Sequence, residues 1–183
     1  VKNTDETQSF IAQLFVNNNA VALADEVIQQ MLKSPDISEK DKEVLRKKSE
    51  LYASTLLSHG ENAAAETFLF AYHDDVYTIK IKDEYGQFSK TASMEGELRN
   101  LSVFEGDDPT YFRIINNMGE SVKLNDLPEE ITNVRLHTGP QRREVHTYGS
   151  WPNLPVLTDY EKRGGRLVFF DLKIIQRNIS AAS

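Results

Sequence analysis

Cysteine is absent from the chain. That excludes a thiol nucleophile, a thiolate metal site and any disulfide framework. It leaves the compartment open, because cysteine-free chains occur in cytoplasm and periplasm alike, whereas small extracellular domains more often carry disulfides. Long apolar runs are missing too. No run exceeds five residues, and the bulky Leu167-Val168-Phe169-Phe170 is far from the roughly 18–20 residues that a bilayer-spanning helix needs. The expectation is a soluble protein. It would be cytoplasmic or, since Val1 and not Met stands first, periplasmic or secreted after removal of a signal segment. Catalytic signatures are equally sparse. No serine lies in a Gly-x-Ser-x-Gly elbow, and there is no His-Glu-x-x-His helix. Gly164-Gly165 precedes a strand pattern instead of following one and opening a helix, so it fails the context test for a nucleotide fingerprint. No cofactor is expected.

What is present fits one moderate domain, or a small domain with an appendage, in 183 residues. A chain of that length buries a core without a metal or disulfide staple. The net charge of −7 is unevenly spread. From Arg135 onward, eight basic side chains stand against four acidic ones, so residues 135–183 carry +4 and residues 1–134 carry −11. An acidic body disfavours nucleic-acid binding, since phosphate affinity is built from Lys and Arg. The basic end is left to meet an anionic partner, or the acidic half of its own chain.

The first third reads as helical. Ile11, Leu14 and Phe15 follow the i, i+3, i+4 rule, as do Ala20, Leu23, Ala24, Val27, Ile28, Met31 and Leu32. Asn17-Asn18-Asn19 separates the two stripes, because Asn is a poor helix-interior residue and a good cap. Ser34-Pro35 ends the segment. Ser38 looks like the cap of a further helix, with Leu45, Tyr52 and Leu56 on one face and Gly60 as its C-cap. A short helix is predicted over 62–72.

Residues 5–72 resemble tetratricopeptide helical hairpins, units of about 34 residues. Ala53 and Ala65 stand at small positions, Gly60 at the inter-helix turn, and Leu56 and Leu69 at apolar ones. Ala12, Phe15, Asn19, Ala24 and Ile28 repeat the spacing 41 residues earlier, and the Trp-Leu-Gly start of the family pattern is missing. A generic antiparallel helix pair with alanines at its contact meets the same spacing. The resemblance implies a peptide-binding or scaffold surface, not catalysis.

From Asp75 the period becomes two. Tyr77, Ile79 and Ile81 alternate with Thr78, Lys80 and Lys82. Strands are expected over 88–91, 97–104, 110–115, 121–124, 131–136, 144–148 and 167–175, the last one central. Turn clusters at Gly106-Asp107-Asp108-Pro109, Asn116-Asn117-Met118-Gly119 and Gly139-Pro140 divide them. The predicted fold is α+β: N-terminal helical hairpins over 1–73, followed by an antiparallel β-rich, sandwich- or barrel-like domain over 74–183.

Asp74-Asp75 and Asp107-Asp108 read as turn residues rather than metal ligands. His137, Glu144 and His146 could meet across the Gly139-Pro140 turn as a dispersed hydrolase or lyase site, but no matched zinc pattern supports them, and no metal is expected. His59 and His73 are placed near helix ends, where an imidazolium suits the dipole. Asn100-Leu101-Ser102 and Asn178-Ile179-Ser180 match the glycosylation acceptor pattern.

The strongest binding candidate combines cationic forks with aromatic faces: Arg142, Arg143, Tyr148, Trp151, Tyr160, Arg163 and Arg166. Trp151, the single tryptophan, lies between Gly149-Ser150 and Pro152, which suggests a loop. It either stacks on a ligand or plugs the end of the β-domain. The predicted function is non-catalytic protein–protein interaction, as an adaptor, assembly factor or structural subunit. Its basic-aromatic patch would face an anionic protein partner. A carbohydrate- or acidic-ligand-binding module is the alternative. An open sheet edge could also pair two copies into a homo-oligomer.

Overall fold

The computed structural model describes residues 5–52 and 54–179. β1 (Phe10–Val16) buries every second side chain, Phe10, Ala12, Leu14 and Val16. Asn17 and Asn18 both take positive φ, 49° and 68°, as the two central residues of a type I′ turn require. The chain therefore reverses directly into β2 (Asn19–Leu23), with Val16 opposite Asn19. The expected helices over this stretch are corrected to a β-hairpin. The i, i+3, i+4 apolar set at Ile11, Leu14 and Phe15 coexists with a period-two set, and pairing with neighbouring strands selects the second.

Only two α-helices follow among the described residues. α1 (Ala24–Leu32) buries Ala24, Val27, Ile28 and Met31 on one face. α2 (Glu39–Tyr52) starts where the Ser38 hydroxyl accepts the Asp41 N–H at 3.1 Å. Of its own residues only Leu45 is fully buried. Gly60 is not a helix cap. It ends β3 (Leu57–Gly60), which pairs along β2. A Cβ on Gly60 would lie 2.7 Å from Val27 Cγ1, so its bareness lets α1 pack on the strand. The helix expected over 62–72 is instead β4 (Phe68–His73), whose aromatic run suits a strand. The tetratricopeptide resemblance falls with these elements, since a repeat of helical hairpins has no place in β1–β4. Ala53, one of its small positions, lies outside the described residues.

β4 turns into β5 (Val76–Ile81) at Asp74-Asp75, again with both residues at positive φ. The sheet continues through β6 (Lys90–Glu95), β7 (Asn100–Phe104), β8 (Phe112–Ile115), β9 (Ser121–Val122), β10 (Ile131–Thr138), β11 (Arg143–Glu144), β12 (His146–Tyr148), β13 (Val156–Thr158), β14 (Arg166–Leu167) and β15 (Phe170–Arg177). Every pairing between these strands is antiparallel, and strands from both sides of residue 73 share one sheet. The fold is thus a 15-stranded antiparallel sheet carrying two helices, not helical hairpins followed by a separate β-region.

Hydrogen-bonded neighbours lead from β5 through β4, β1, β15, β10 and β8 back to β5, where Tyr77 pairs with Phe112. Six strands thereby close into a ring around the main core. Phe10 stacks on Phe70 with centroids 4.8 Å apart, and Tyr77 meets both edge-on. The buried Tyr77 hydroxyl donates to the Gln8 carbonyl at 2.8 Å and accepts the Leu124 N–H at 3.0 Å. β6, β7, β13, β12 and β14 extend the sheet from β5, in that order, leaving β14 at its end. A second cluster, with Ile28, Leu45, Leu154 and Val156, fixes the helices against β3 and β13. Among the described residues, no helix is long and apolar enough to cross a membrane.

Candidate functional site

An open groove of about 1460 Å³ lies between the first helix and the 149–169 region. One wall is the end of α1 and the loop after it, with Met31, Lys33 and Asp36. The other wall is the end of β12, the 149–155 loop and the segment 163–169. Asn17 and Asn19 of the first hairpin and His59 of β3 also line it. Local chain geometry builds the second wall. Gly164 and Gly165 take φ of 79° and 106°, open to glycine without strain. A Cβ on Gly165 would fall 2.1 Å from the Thr147 carbonyl oxygen, so only glycine lets β14 reach β12 here.

Four of the seven sequence-selected residues meet in this groove: Tyr148, Trp151, Arg163 and Arg166. The Arg163 guanidinium lies over the Tyr148 ring, 4.5 Å from its centroid, and also donates to the Asn100 side chain. It is held in place before any ligand arrives. Arg166 is exposed and has no side-chain hydrogen bond or ion pair among the described residues. Trp151 is 51% exposed on its loop. The other three residues lie elsewhere. Arg142 and Arg143 sit at the β10–β11 turn, with Arg143 beside a smaller cleft that Arg99 and Tyr111 also line. Tyr160 precedes a short 3-10 turn, its N–H bonded to the Thr158 hydroxyl.

Sequence reasoning missed several lining residues. Leu167 and Phe169 belong to the most apolar run and read as core, yet they are 38% and 50% exposed. Only the glycine pair just before them hints that this part of the run leaves the sheet interior. His59 and His73 are on strands rather than helix ends. His59 Nε2 shares a 2.8 Å hydrogen bond with the Thr147 hydroxyl, and burial pushes its pKa down to about 4. It is therefore a neutral imidazole at pH 7, not a dipole-stabilised cation. Lys33 and Lys48, which the sequence did not single out, also line the groove. With Arg163 and Arg166 they make four cations against two carboxylates, Asp36 and Glu61, on a chain whose net charge is −7.

The histidine–carboxylate trio is only partly assembled. His137 lies opposite Glu144, with Nε2 3.4 Å from Oε1. Burial lowers the His137 pKa against the opposing pull of Glu144. His146 stands on β12, its Nδ1 3.4 Å from the Glu144 backbone carbonyl rather than near its carboxylate. No group of three or more metal-ligating side chains occurs among the described residues. Of the two glycosylation patterns, Asn100 to Ser102 lies within β7, and Ser180 of the other is outside the described residues.

The deepest charge is structural. The fully buried Asp159 carboxylate accepts two bonds from Arg99, at 3.0 and 2.8 Å, and one from the Thr138 hydroxyl at 2.6 Å. This ties the segment after β13 to the β6–β7 turn and to β10. No protein-family model matches the chain, and neither a curated protein nor a solved structure is detectably similar to it.

Proposed function

We propose that the chain is a non-catalytic interaction protein, an adaptor, assembly factor or structural subunit, whose groove receives an anionic protein partner. The observation that carries this reading is the meeting of Lys33, Lys48, Arg163 and Arg166 with Tyr148 and Trp151 in one concavity of an acidic chain. Arg forks bind carboxylates bidentately. Arg and Trp are also favoured anchors of protein interfaces. The stacked Arg163 loses little side-chain freedom on binding, which favours affinity.

The test is affinity capture from host lysate with three baits: wild type, Arg163→Glu with Arg166→Glu, and Arg142→Glu with Arg143→Glu. Circular dichroism checks folding. A partner kept by the wild type and the 142/143 variant but lost from the 163/166 variant supports the reading. Equal recovery by all three baits overturns it. The half-exposed Trp151 in the same groove favours one second reading, a carbohydrate ligand stacked on the indole. A saturable shift of its fluorescence with neutral sugars would support that instead.

A further inference from the structure

We infer that the groove's partner binds as an extended segment of alternating acidic and apolar residues, adding a strand to the open edge of β14; this rests on the groove reading above. Among the described residues, β14 ends the sheet and pairs only with β12. Hydrogen-bonded and non-hydrogen-bonded pairs alternate along an antiparallel ladder. The Val168 N–H donates to the Val145 carbonyl at 3.5 Å. The pair Leu167 and His146 is therefore the non-hydrogen-bonded one, and the N–H and carbonyl of Leu167 point away from β12. The groove runs along that same edge, since residues 165–169 all line it.

An unpaired edge beside an open cleft is the geometry that strand addition uses, with main-chain bonds for affinity and alternate side chains for selectivity. Period two then dictates the partner's chemistry. Leu167 on the strand and Phe169 just beyond it are both exposed along the groove and call for apolar neighbours on the added segment. Arg166 lies on the face of the strand opposite Leu167, without an ion-pair partner among the described residues, and calls for a carboxylate. Arg163 adds a second cation just before the strand. The strand itself is short, Arg166 and Leu167, so the outward-facing N–H and carbonyl of Leu167 anchor the added ladder.

The probe is a seven-residue peptide alternating glutamate and valine, blocked at both ends. It is titrated into the full chain with Trp151 fluorescence as the readout. Amide hydrogen exchange at Leu167 is followed in parallel. Saturable binding is expected, with exchange at Leu167 slowed at least tenfold. Leu167→Pro removes a donor that β12 does not use and should weaken binding at least tenfold more than Leu167→Ala, which removes only the side chain. The exchange measurement needs no variant, so a folding defect in Leu167→Pro leaves the test intact. Binding with unchanged Leu167 exchange overturns strand addition but leaves the groove reading standing. So does failure of the peptide to bind while the 163/166 variant still loses its captured partner. If the peptide fails and capture is insensitive to Arg163 and Arg166, both readings fall.

Discussion

Lowering the pH from 7 to 4 is expected to remove about 3 kcal/mol of folding stability through His59 alone. The imidazole titrates near its ordinary value of 6.5 in the unfolded chain and at about 4 in the folded one, because burial beside Thr147 disfavours the cation. Between those values the unfolded state holds more protons, so stability rises with pH and is lost on acidification. At 1.36 kcal/mol for each pKa unit, roughly half the loss has accumulated by pH 5.5 and nearly all of it by pH 4. Other groups also respond. His137, lowered by burial, acts in the same direction. Glu66, raised by burial, acts in the opposite one. Asp83, held down chiefly by the Ser89 hydroxyl, responds below its ordinary value of 3.8. The assay must therefore be a difference: urea unfolding of wild type and His59→Gln at pH 7, 5.5 and 4. Gln keeps a polar group for Thr147 and does not titrate. The wild type should lose about 3 kcal/mol more than the variant between pH 7 and 4. Equal losses in the two proteins would refute the neutral, buried imidazole.

Two further outcomes follow from buried polar groups. Arg99→Ala strands the Asp159 carboxylate and should cost about 3 kcal/mol, the low end for a broken buried pair because Arg99 itself is one-third exposed; chemical denaturation reads it, and a loss under about 1 kcal/mol would contradict the pairing's structural role. Tyr77→Phe keeps the ring but leaves the Gln8 carbonyl and the Leu124 N–H without their shared hydroxyl. About 2 kcal/mol should be lost, measured by thermal and urea unfolding, with an unchanged value arguing against a dry site.

Much of the latter half was legible from alternation. The pattern of Tyr77, Ile79 and Ile81 is β5, and the strand expected over 131–136 is β10, lengthened to Thr138. The helix start at Ser38 was legible through its cap. The first strands were not. Ala12, Ala20 and Ala22 favour helices intrinsically, yet each is buried in a strand, because pairing and burial outweigh local preference. The signal that was available is the Asn pair. Two residues tolerant of positive φ between apolar runs mark a two-residue hairpin as readily as a helix break. The groove was half legible. Tyr148, Trp151, Arg163 and Arg166 are close in sequence as well as in space, whereas His59, Lys33 and Lys48 reach the groove only through β3 and the helices. Arg142 and Arg143 were grouped with it by sequence proximity, and the β10–β11 hairpin turns them elsewhere.

The pairing of β1 with β15 sets how the molecule can be made. Phe10 faces Arg177, and the Ile179 N–H reaches the Ser9 carbonyl at 3.1 Å. The ring therefore closes between β1 and β15, the first and last strands of the described residues. A nascent chain on the ribosome holds β1 with one flank open until residue 177 has emerged, and a contact of such sequence separation forms slowly. A helper that shields that flank during synthesis would speed maturation. A circular permutant that links the chain just after β15 to the chain just before β1, and opens it at an exposed turn such as Gly86, should fold without that wait.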